Sequence, residues 1–445
     1  MITPMAEEIE YKGFFWLPNK ADARLSGTLR FKPNEYAILD LLGTFRLRSA
    51  ASAFEIPLIV GRCFVSSSER EPFSKEEEIT LKNCRFRSIS SKLSSYDAEK
   101  IFIGIQFEKG DDVKFKEVYV KFSYLHEWVG ISGFNVDKIF DENKVEMNYL
   151  KPEPIDIAKI GDFDIAICFV PIPSLLQLRL EPYPRRKVHL EQETYIRIES
   201  NEDKPYEEYL DLIRKLQHFF CLAVMHPVFP LYVDGGNSSK IIKNKEDKII
   251  LLPIRIFDKQ LRSQISSREI PVQDMPFIFR CVENKIGDMI KRWVEEYDGF
   301  SSVYNPYFGT IYNEQMYLEE QFLALVRAIE GYHRLTHKDK RSHGLTLSRR
   351  LDDLITETNE VTKFLFNSEE DRKEFVKKIV ITRNQLTNPY KYLKAVDYGL
   401  YLPELIVELI EPFLAILMFK RLGFSDYEIK RGLSNHWFWG SKFKD

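Results

Sequence analysis

The sequence has 445 residues, of which 44% are hydrophobic, enough for an extensive core and for two or three domains. Its 64 basic residues nearly cancel its 67 acidic residues, leaving a net charge of −3. This balance excludes a protein that coats nucleic acid nonspecifically, so any contact with RNA must come from a local basic patch.

From about residue 13 to residue 257, short runs rich in β-branched and aromatic residues predict strands. The clearest runs cover 14–17, 26–31, 37–42, 56–60, 78–81, 101–107, 118–122 and 194–198. Many short strands in succession favour an antiparallel sandwich or barrel. One amphipathic helix, 206–225, interrupts them after Pro205, a residue suited to a helix start.

Within this half, His126, Glu127 and Trp128 invite two interpretations. The first is an acid/base pair beside a stacking platform. The second is a structural strand and turn, with Trp128 in the core and Gly130 and Gly133 allowing a bend. Adjacent strand residues point to opposite faces, so the pattern favours the structural interpretation.

The five cysteines are odd in number, widely spaced and mostly embedded in apolar runs: Cys63, Cys84, Cys168, Cys221 and Cys281. This pattern predicts buried free thiols in a reducing cytoplasm. No CxxC pair suggests a zinc site, and we expect neither a metal nor a cofactor.

Two stretches bear on targeting and membranes. Glu7, Glu8 and Glu10 precede any apolar run, so we expect no signal peptide. The apolar segment 402–422 is broken by several glutamates and by Pro412, which predicts a core helix instead of a membrane span. We therefore expect a cytoplasmic protein.

After about residue 276 the apolar period changes to that of helices. Helices are predicted over 277–297, 312–336, 345–365, 369–388, 403–422 and 426–433, with a loop over 299–310. The chain is thus predicted to be an α+β multidomain protein. A β-rich sandwich or barrel-like domain with a helix, 1–275, precedes a helix and linker, 276–310, and an all-α bundle, 311–445.

The end of the predicted helix 369–388 carries polar residues without an obvious structural purpose. Arg383 and Asn384 lie at the edge of the apolar face of this helix. Asn388 lies one turn after Asn384 on the same face. Pro389 disfavours helical geometry at the preceding residue, so the helix should end there and leave Asn388 accessible. An accessible polar helix end is suited to chemistry.

Arg383-Asn384 resembles the start of the signature of the HEPN superfamily of RNA endonucleases: Arg, a polar residue, a few variable residues, then His. Asn388 stands where that His is expected. Residues 123–134 resemble a block of the N-terminal domain of ApeA-type bacterial defence proteins, and residues 319–334 resemble the first core helix of their HEPN domain. The resemblance implies an antiphage, abortive-infection protein with a β-rich sensing or regulatory domain and a HEPN ribonuclease domain.

By resemblance, the chemistry is metal-independent RNA cleavage, in which the 2′-hydroxyl attacks the adjacent phosphate. Arg383 would stabilise the negative charge on the phosphoryl oxygens, and Asn384 would orient Arg383 or the phosphate. The missing His would transfer the protons. The family also implies an RNA substrate, a phage protein as trigger and a homodimer.

Asn388 cannot transfer protons, because an amide has no useful pKa. If Asn388 is native, the chain is an inactive or weakened member; if it was introduced, it preserves shape and removes proton transfer, and the intact Arg383-Asn384 favours this second possibility. Tyr390 is a weaker substitute acid. Two alternatives remain: a noncatalytic HEPN protein that dimerises, binds RNA or senses phage, and a structural ion pair at Arg383.

Three further patterns in the predicted helical half are candidate functional sites. Arg327 and His333 fit a loose form of the HEPN signature, although such spacing arises easily by chance. His333 and His337 have the spacing of a zinc helix but lack the Glu that should follow the first His. The candidate RNA-binding residues are Lys338, Arg341, Arg349 and Arg350.

Overall fold

The computed structural model describes residues 5, 7–18, 20–45, 55–65, 75–90, 92–139, 144–171, 191–243, 247, 249–264, 269–313, 315–338, 344–363, 365–366, 368–388, 402 and 405–435. Residue contacts divide the chain into two compact units. The β unit comprises Met1–Gln217 and Val228–Glu269, and the helical unit comprises His218–Pro227 and Ile270–Asp445. The domain boundaries at 275 and 310 stay predictions, because compactness does not show which segments fold independently.

The strands of the β unit are β1 Ile9–Trp16, β2 Leu25–Phe31, β3 Ala37–Leu42, β4 Glu55–Val65, β5 Lys75–Ser90, β6 Leu93–Ile103, β7 Lys114–Phe122, β8 Phe134–Ile139, β9 Lys144–Tyr149, β10 Ile155–Ile160, β11 Phe163–Pro171, β12 Gln192–Pro205, β13 Pro230–Lys243 and β14 Ile249–Asp258. Its helix α1 is Leu125–Val129, and helix α2, Tyr206–Val224, starts in this unit and continues into the helical unit from His218. The predicted helix at 206–225 and the β-rich character of this half are confirmed.

Strands β1 to β6 close into a barrel. They pair in the order β6-β3-β2-β1-β4-β5, and β5 pairs back onto β6, so the ring has six antiparallel strands. In β3, Ala37, Leu39 and Leu41 are buried in alternation, as a half-buried strand requires. At Gly13 a Cβ would lie 2.1 Å from the backbone oxygen of Arg62, so only glycine permits this approach of β1 to β4. The barrel-like prediction is confirmed.

The sheet continues from the barrel through β14, β13, β7, β12, β11 and β10, while β8 and β9 form a separate hairpin. Helix α2 begins directly after Pro205 and carries Glu207 and Glu208 in its first turn, where carboxylates favour the helix dipole. Tyr209 and Ile213 on this helix are fully buried.

The segment around Trp128 corrects one prediction. It forms the short helix α1, not a strand, because the apolar residues Leu125, Trp128 and Val129 follow helical spacing. Trp128 is only 1% exposed, which confirms its place in the core. Gly130 ends the helix with a left-handed φ of 65°. The His126 ring contacts Thr194 at 3.0 Å.

The helical unit contains α3 Phe279–Val282, α4 Ile286–Glu296, α5 Ser301–Tyr312, α6 Leu318–Thr336, α7 Leu347–Glu357, α8 Asn359–Thr362, α9 Glu369–Thr387, a π-helical turn Leu405–Ile410, α10 Glu411–Leu422 and α11 Asp426–Asn435. Short 3₁₀ turns occur at Gly110–Asp112, Val272–Asp274 and Asp298–Phe300. The prediction of a C-terminal helical region is confirmed.

Three local predictions in this unit differ from the structure. The predicted helices 277–297 and 345–365 are each divided into two. The predicted loop 299–310 is largely helix α5, despite Pro306 inside it. Its buried aromatic face explains the difference: Tyr304 stacks on Trp293 with ring centroids 4.5 Å apart, and this packing outweighs the backbone hydrogen bond that Pro306 cannot donate.

Helix α10 lies in the core of the helical unit, since Phe413 through Phe419 are all buried. The predicted core helix is therefore confirmed, and none of the described helices is long and apolar enough to cross a membrane.

Four cysteines are buried, and burial raises the pKa of Cys63 to about 12. Cys281 is exposed, contrary to the general expectation of buried thiols.

Candidate functional site

Helix α9 presents the predicted site at its C-terminal end. At its start, the Ser368 hydroxyl accepts a hydrogen bond from the Asp371 backbone N–H at 3.1 Å. The helix ends at Thr387, and Asn388 leaves helical geometry with φ −136° and ψ 64°. This confirms the helix end predicted from Pro389, which itself lies outside the described residues.

Arg383 and Asn384 contact each other at this end. Arg383 Nη1 donates to Asn384 Oδ1 at 3.1 Å, and the Arg383 side chain is 39% exposed. Its other terminal nitrogen, Nη2, lies 3.7 Å from Glu330 Oε1 on α6. The guanidinium is thus oriented on two sides and still reaches solvent.

Asn388 completes the group. Its backbone N–H donates to the Asn384 carbonyl at 3.0 Å, and its exposed side chain lies 3.4 Å from the Thr387 hydroxyl. Arg383 and Asn384 therefore lie near the C-terminal end of α9, and Asn388 directly follows its last residue. Tyr390 lies outside the described residues.

Sequence reasoning missed the partners of Arg383 on α6. The Glu330 carboxylate lies between two guanidinium groups, with Oε1 3.7 Å from Arg383 Nη2 and Oε2 3.7 Å from Arg334 Nη2. The available signal was the spacing of four between Glu330 and Arg334, which places them on one helix face. Nothing in the sequence indicated that this face meets Arg383.

His333 belongs to the core. Its side chain is 0% exposed, Arg350 Nη1 contacts its Nδ1 at 2.9 Å, and its Nε2 lies 3.3 Å from Asp353 Oδ2. A guanidinium can only donate, so Nδ1 accepts and Nε2 carries the proton of a neutral ring. Burial lowers the pKa of His333, against the opposing hydrogen bond to Asp353. These contacts contradict the alternative in which His333 pairs with the exposed Arg327 at an RNA site.

His337 stacks on His333 with ring centroids 4.1 Å apart and an interplanar angle of 6°. Its Nε2 lies 2.5 Å from Glu357 Oε1. Across the part of the chain that the structure describes, no group of three or more His, Cys, Asp or Glu side chains is arranged to hold a metal ion. The histidine pair is thus joined to carboxylates and an arginine.

Two family models match the chain. The family model for ApeA N-terminal domain 1 matches residues 10–293, and the model for the Apea-like HEPN domain matches residues 307–427. The chain belongs to the ApeA family. It is an antiphage HEPN-containing protein, and its HEPN domain places it in a superfamily that includes ribonucleases. No individual curated protein matched the sequence.

The HEPN match of this ApeA-family chain includes all the helices that carry the candidate site, α6, α7 and α9. Of the candidate RNA-binding residues, Lys338 and Arg349 are exposed, and Arg349 Nε lies 3.0 Å from Asp353 Oδ1. Arg350 is only 1% exposed and contacts His333, which corrects its assignment to the surface. Arg341 lies outside the described residues.

These contacts define an arginine cluster in the HEPN domain. It contains the guanidinium groups of Arg334, Arg349, Arg350 and Arg383 and the carboxylates of Glu330 and Asp353. Burial and the positive charge of Arg334 lower the pKa of Arg350, against the opposing charges of Glu330 and Asp353. Cations outnumber anions in this cluster although the whole chain has a net charge of −3. Arg334, Arg349 and Arg383 are its exposed or partly exposed cations, and a local basic patch is what an RNA contact on this chain requires.

Proposed function

We propose that this chain is an abortive-infection protein whose HEPN domain carries a metal-independent RNA endonuclease site at Arg383, Asn384 and Asn388. In this chain Asn388 stands at the position of the expected catalytic His and disables cleavage. The observation that carries the proposal is the partly exposed Arg383 guanidinium, held by Asn384 near the C-terminal end of α9, with Asn388 one turn after Asn384.

Arg383 is suited to a phosphate ligand. Its planar fork offers several N–H donors, of which the hydrogen bond to Asn384 uses one. The remaining donors can point at phosphoryl oxygens, where negative charge grows as the 2′-hydroxyl attacks. Donors fixed before the reaction stabilise that charge without reorganisation.

Asn388 explains the proposed loss of activity. A His here would take the proton from the 2′-hydroxyl and deliver one to the leaving 5′-oxygen, whereas an amide can only form hydrogen bonds. Loss of such a group typically lowers the rate by about 100-fold to 10,000-fold. His333 cannot replace it, because its ring is buried and both nitrogens contact protein groups.

The remaining parts of the proposal come from the family. The β unit would act as the sensing or regulatory part, a phage protein would be the trigger, and the HEPN domain would act in the cytoplasm as a homodimer. RNA cleavage after infection would then halt translation in the host cell.

The test compares the present chain with Asn388→His on total cellular RNA, with EDTA present and in extract from infected cells. We expect cleavage by the His variant alone, with cyclic phosphate ends on the products. Asn388→Gln is the matched control, since it keeps a neutral amide, and Arg383→Ala in the His background should abolish cleavage. An Asn388→His protein that leaves RNA intact in infected extract would contradict the nuclease proposal.

A second candidate function is a noncatalytic HEPN protein that binds RNA. It is favoured by the lack of an exposed histidine beside Arg383 among the described residues. Under this alternative, the chain binds RNA through Arg383 and the Asn388→His variant binds it equally well without cutting.

A further inference from the structure

Glu330 links two arginines that come from different helices. Arg383 lies near the end of α9, and Arg334 lies near the end of α6, one turn after Glu330. Each guanidinium approaches a different oxygen of the same carboxylate, at 3.7 Å in both cases. The Glu330 side chain is only 18% exposed, so it has little freedom to leave this position.

The two guanidinium groups keep most of their hydrogen-bonding capacity. A distance of 3.7 Å is attractive between charges but lies beyond the usual range of about 2.7 to 3.2 Å for an N–H···O hydrogen bond. The Arg334 side chain is 61% exposed, more than that of Arg383 at 39%. Each of the two guanidinium groups can therefore donate hydrogen bonds to a second anion at closer range.

Arg334 also has other cations near it. Glu330 is the only carboxylate that forms an ion pair with Arg334 among the described residues, and that carboxylate is shared with Arg383. Arg350 lies close enough for the positive charge of Arg334 to lower its pKa, in addition to the effect of burial. An approaching anion stabilises the charged form of a cation that has other cations near it.

We propose that Arg334 is a second phosphate-binding residue of the RNA site, held beside Arg383 by Glu330. The inference rests on the proposed function: Arg383 contacts the phosphate at the cleavage position and Arg334 contacts a neighbouring phosphate of the same strand. Glu330 is a positioning residue, since it touches the two arginines and not the RNA. The two contacts together fix the register of the strand at the helix end.

Equilibrium binding tests this directly, because the present chain lacks the proton-transferring His and leaves the RNA intact. The affinity for a labelled, unstructured single-stranded RNA is measured by fluorescence anisotropy over a series of salt concentrations. Each phosphate contact on a single strand contributes about 0.7 to the slope of log affinity against log salt. Arg334→Ala is expected to weaken binding and to reduce this slope by about 0.7.

Arg334→Lys keeps the charge and is expected to restore the slope, although not the full affinity, since lysine lacks the planar fork. Arg431→Ala is the matched control, because Arg431 is an exposed arginine on α11 in the same unit and should leave affinity and slope unchanged. An Arg334→Ala protein with unaltered affinity and slope overturns the proposal.

Arg383→Ala separates this failure from failure of the proposed function. If Arg383→Ala lowers the slope and Arg334→Ala does not, only the second phosphate contact is rejected. If neither variant changes binding, the RNA site at Arg383 is itself rejected.

Glu330→Gln tests the positioning role. This change adds one positive charge, so electrostatics alone predicts tighter binding of RNA. Loss of the shared carboxylate instead predicts weaker binding, with an unchanged circular dichroism spectrum showing that the helices remain. Tighter binding would show that Glu330 merely offsets charge and would overturn its positioning role.

Discussion

Two ionic clusters, one in each unit, differ in how their cations are enclosed. In the β unit Lys100 is 1% exposed, with its Nζ 2.8 Å from Glu99 Oε1 and 3.8 Å from the fully buried Asp258 Oδ2. In the helical unit Arg383 is 39% exposed and shares one carboxylate with Arg334. Lys100 is enclosed by carboxylates that compensate its charge. The charge of Arg383 is only partly compensated, because its one carboxylate is shared with Arg334. The comparison indicates a structural role for Lys100, and it supports the proposal that Arg383 binds RNA.

The pKa values in the Lys100 cluster support the structural role. Burial raises the pKa of Glu99, but hydrogen bonds from Lys100, Gln260 and Asn83 outweigh this effect and lower it to about 2. Burial raises the pKa of Asp258 to about 6, despite the attraction of Lys100. Lys100 thus favours the charged form of both carboxylates.

The largest expected effect on stability comes from Lys100→Met. Removing one partner of a buried ionic group leaves the other charge uncompensated, which typically costs about 3 to 5 kcal/mol. We expect a loss of this size in the free energy of unfolding at neutral pH, measured by urea denaturation. The control is Arg383→Ala, where a partly exposed pair should change stability by no more than about 1 kcal/mol. Equal losses in the two variants would contradict the contrast between the clusters.

The sequence predicted the parts of the fold that depend on local pattern. Short strand patterns predicted the β-rich half, and the change to a helical period predicted the helical half. Pro389 predicted the end of α9. The sequence left open whether the strands form a sandwich or a barrel, because that choice depends on non-local pairings such as β3 with β6. Helix α5 was missed because Pro306 is a local signal, whereas its stacking on α4 is a tertiary one.

The candidate site was predictable only in part. Arg383 and Asn388 follow from a motif within one helix, so the sequence contains their relationship. The contact between Arg383 and Glu330 joins residues far apart in the chain, and the burial of Arg350 depends on His333 from another helix. A run of basic residues therefore predicted a surface patch at a position where one arginine is in fact a core residue.

Glu411 sharpens the comparison because it is a largely buried carboxylate for which no ion pair occurs among the described residues. Its side chain accepts a hydrogen bond from Gln321 at 3.3 Å, and burial raises its pKa from 4.5 to about 7. The folded state therefore holds the proton more tightly than the unfolded state. Between pH 4.5 and about 7, this group lowers the free energy of unfolding as pH rises, by up to about 1.4 kcal/mol per pH unit.

Glu411→Gln should remove this loss. We expect the variant to be more stable than the parent above pH 7, by up to about 3 kcal/mol, and to show no such gain below pH 4.5. Urea denaturation at both pH values measures the difference. Glu295→Gln, at an exposed position on α4, serves as the control for the loss of a surface carboxylate. The same gain at both pH values would show that the charge of Glu411 is not its cause.

The smallest effect is expected from Ser368→Ala at the start of α9, far along the helix from Arg383. The change removes the hydrogen bond from Asp371 N–H to the Ser368 hydroxyl, and loss of such a cap typically costs about 1 kcal/mol. We expect denaturation to show this loss and Ser368→Asp to restore it, with RNA affinity unchanged in both, because the contacts of Arg383 with Asn384 and Glu330 lie at the other end. If Ser368→Ala weakened RNA binding as much as Arg383→Ala, the site would depend on the whole helix and the local argument for Arg383 would fail.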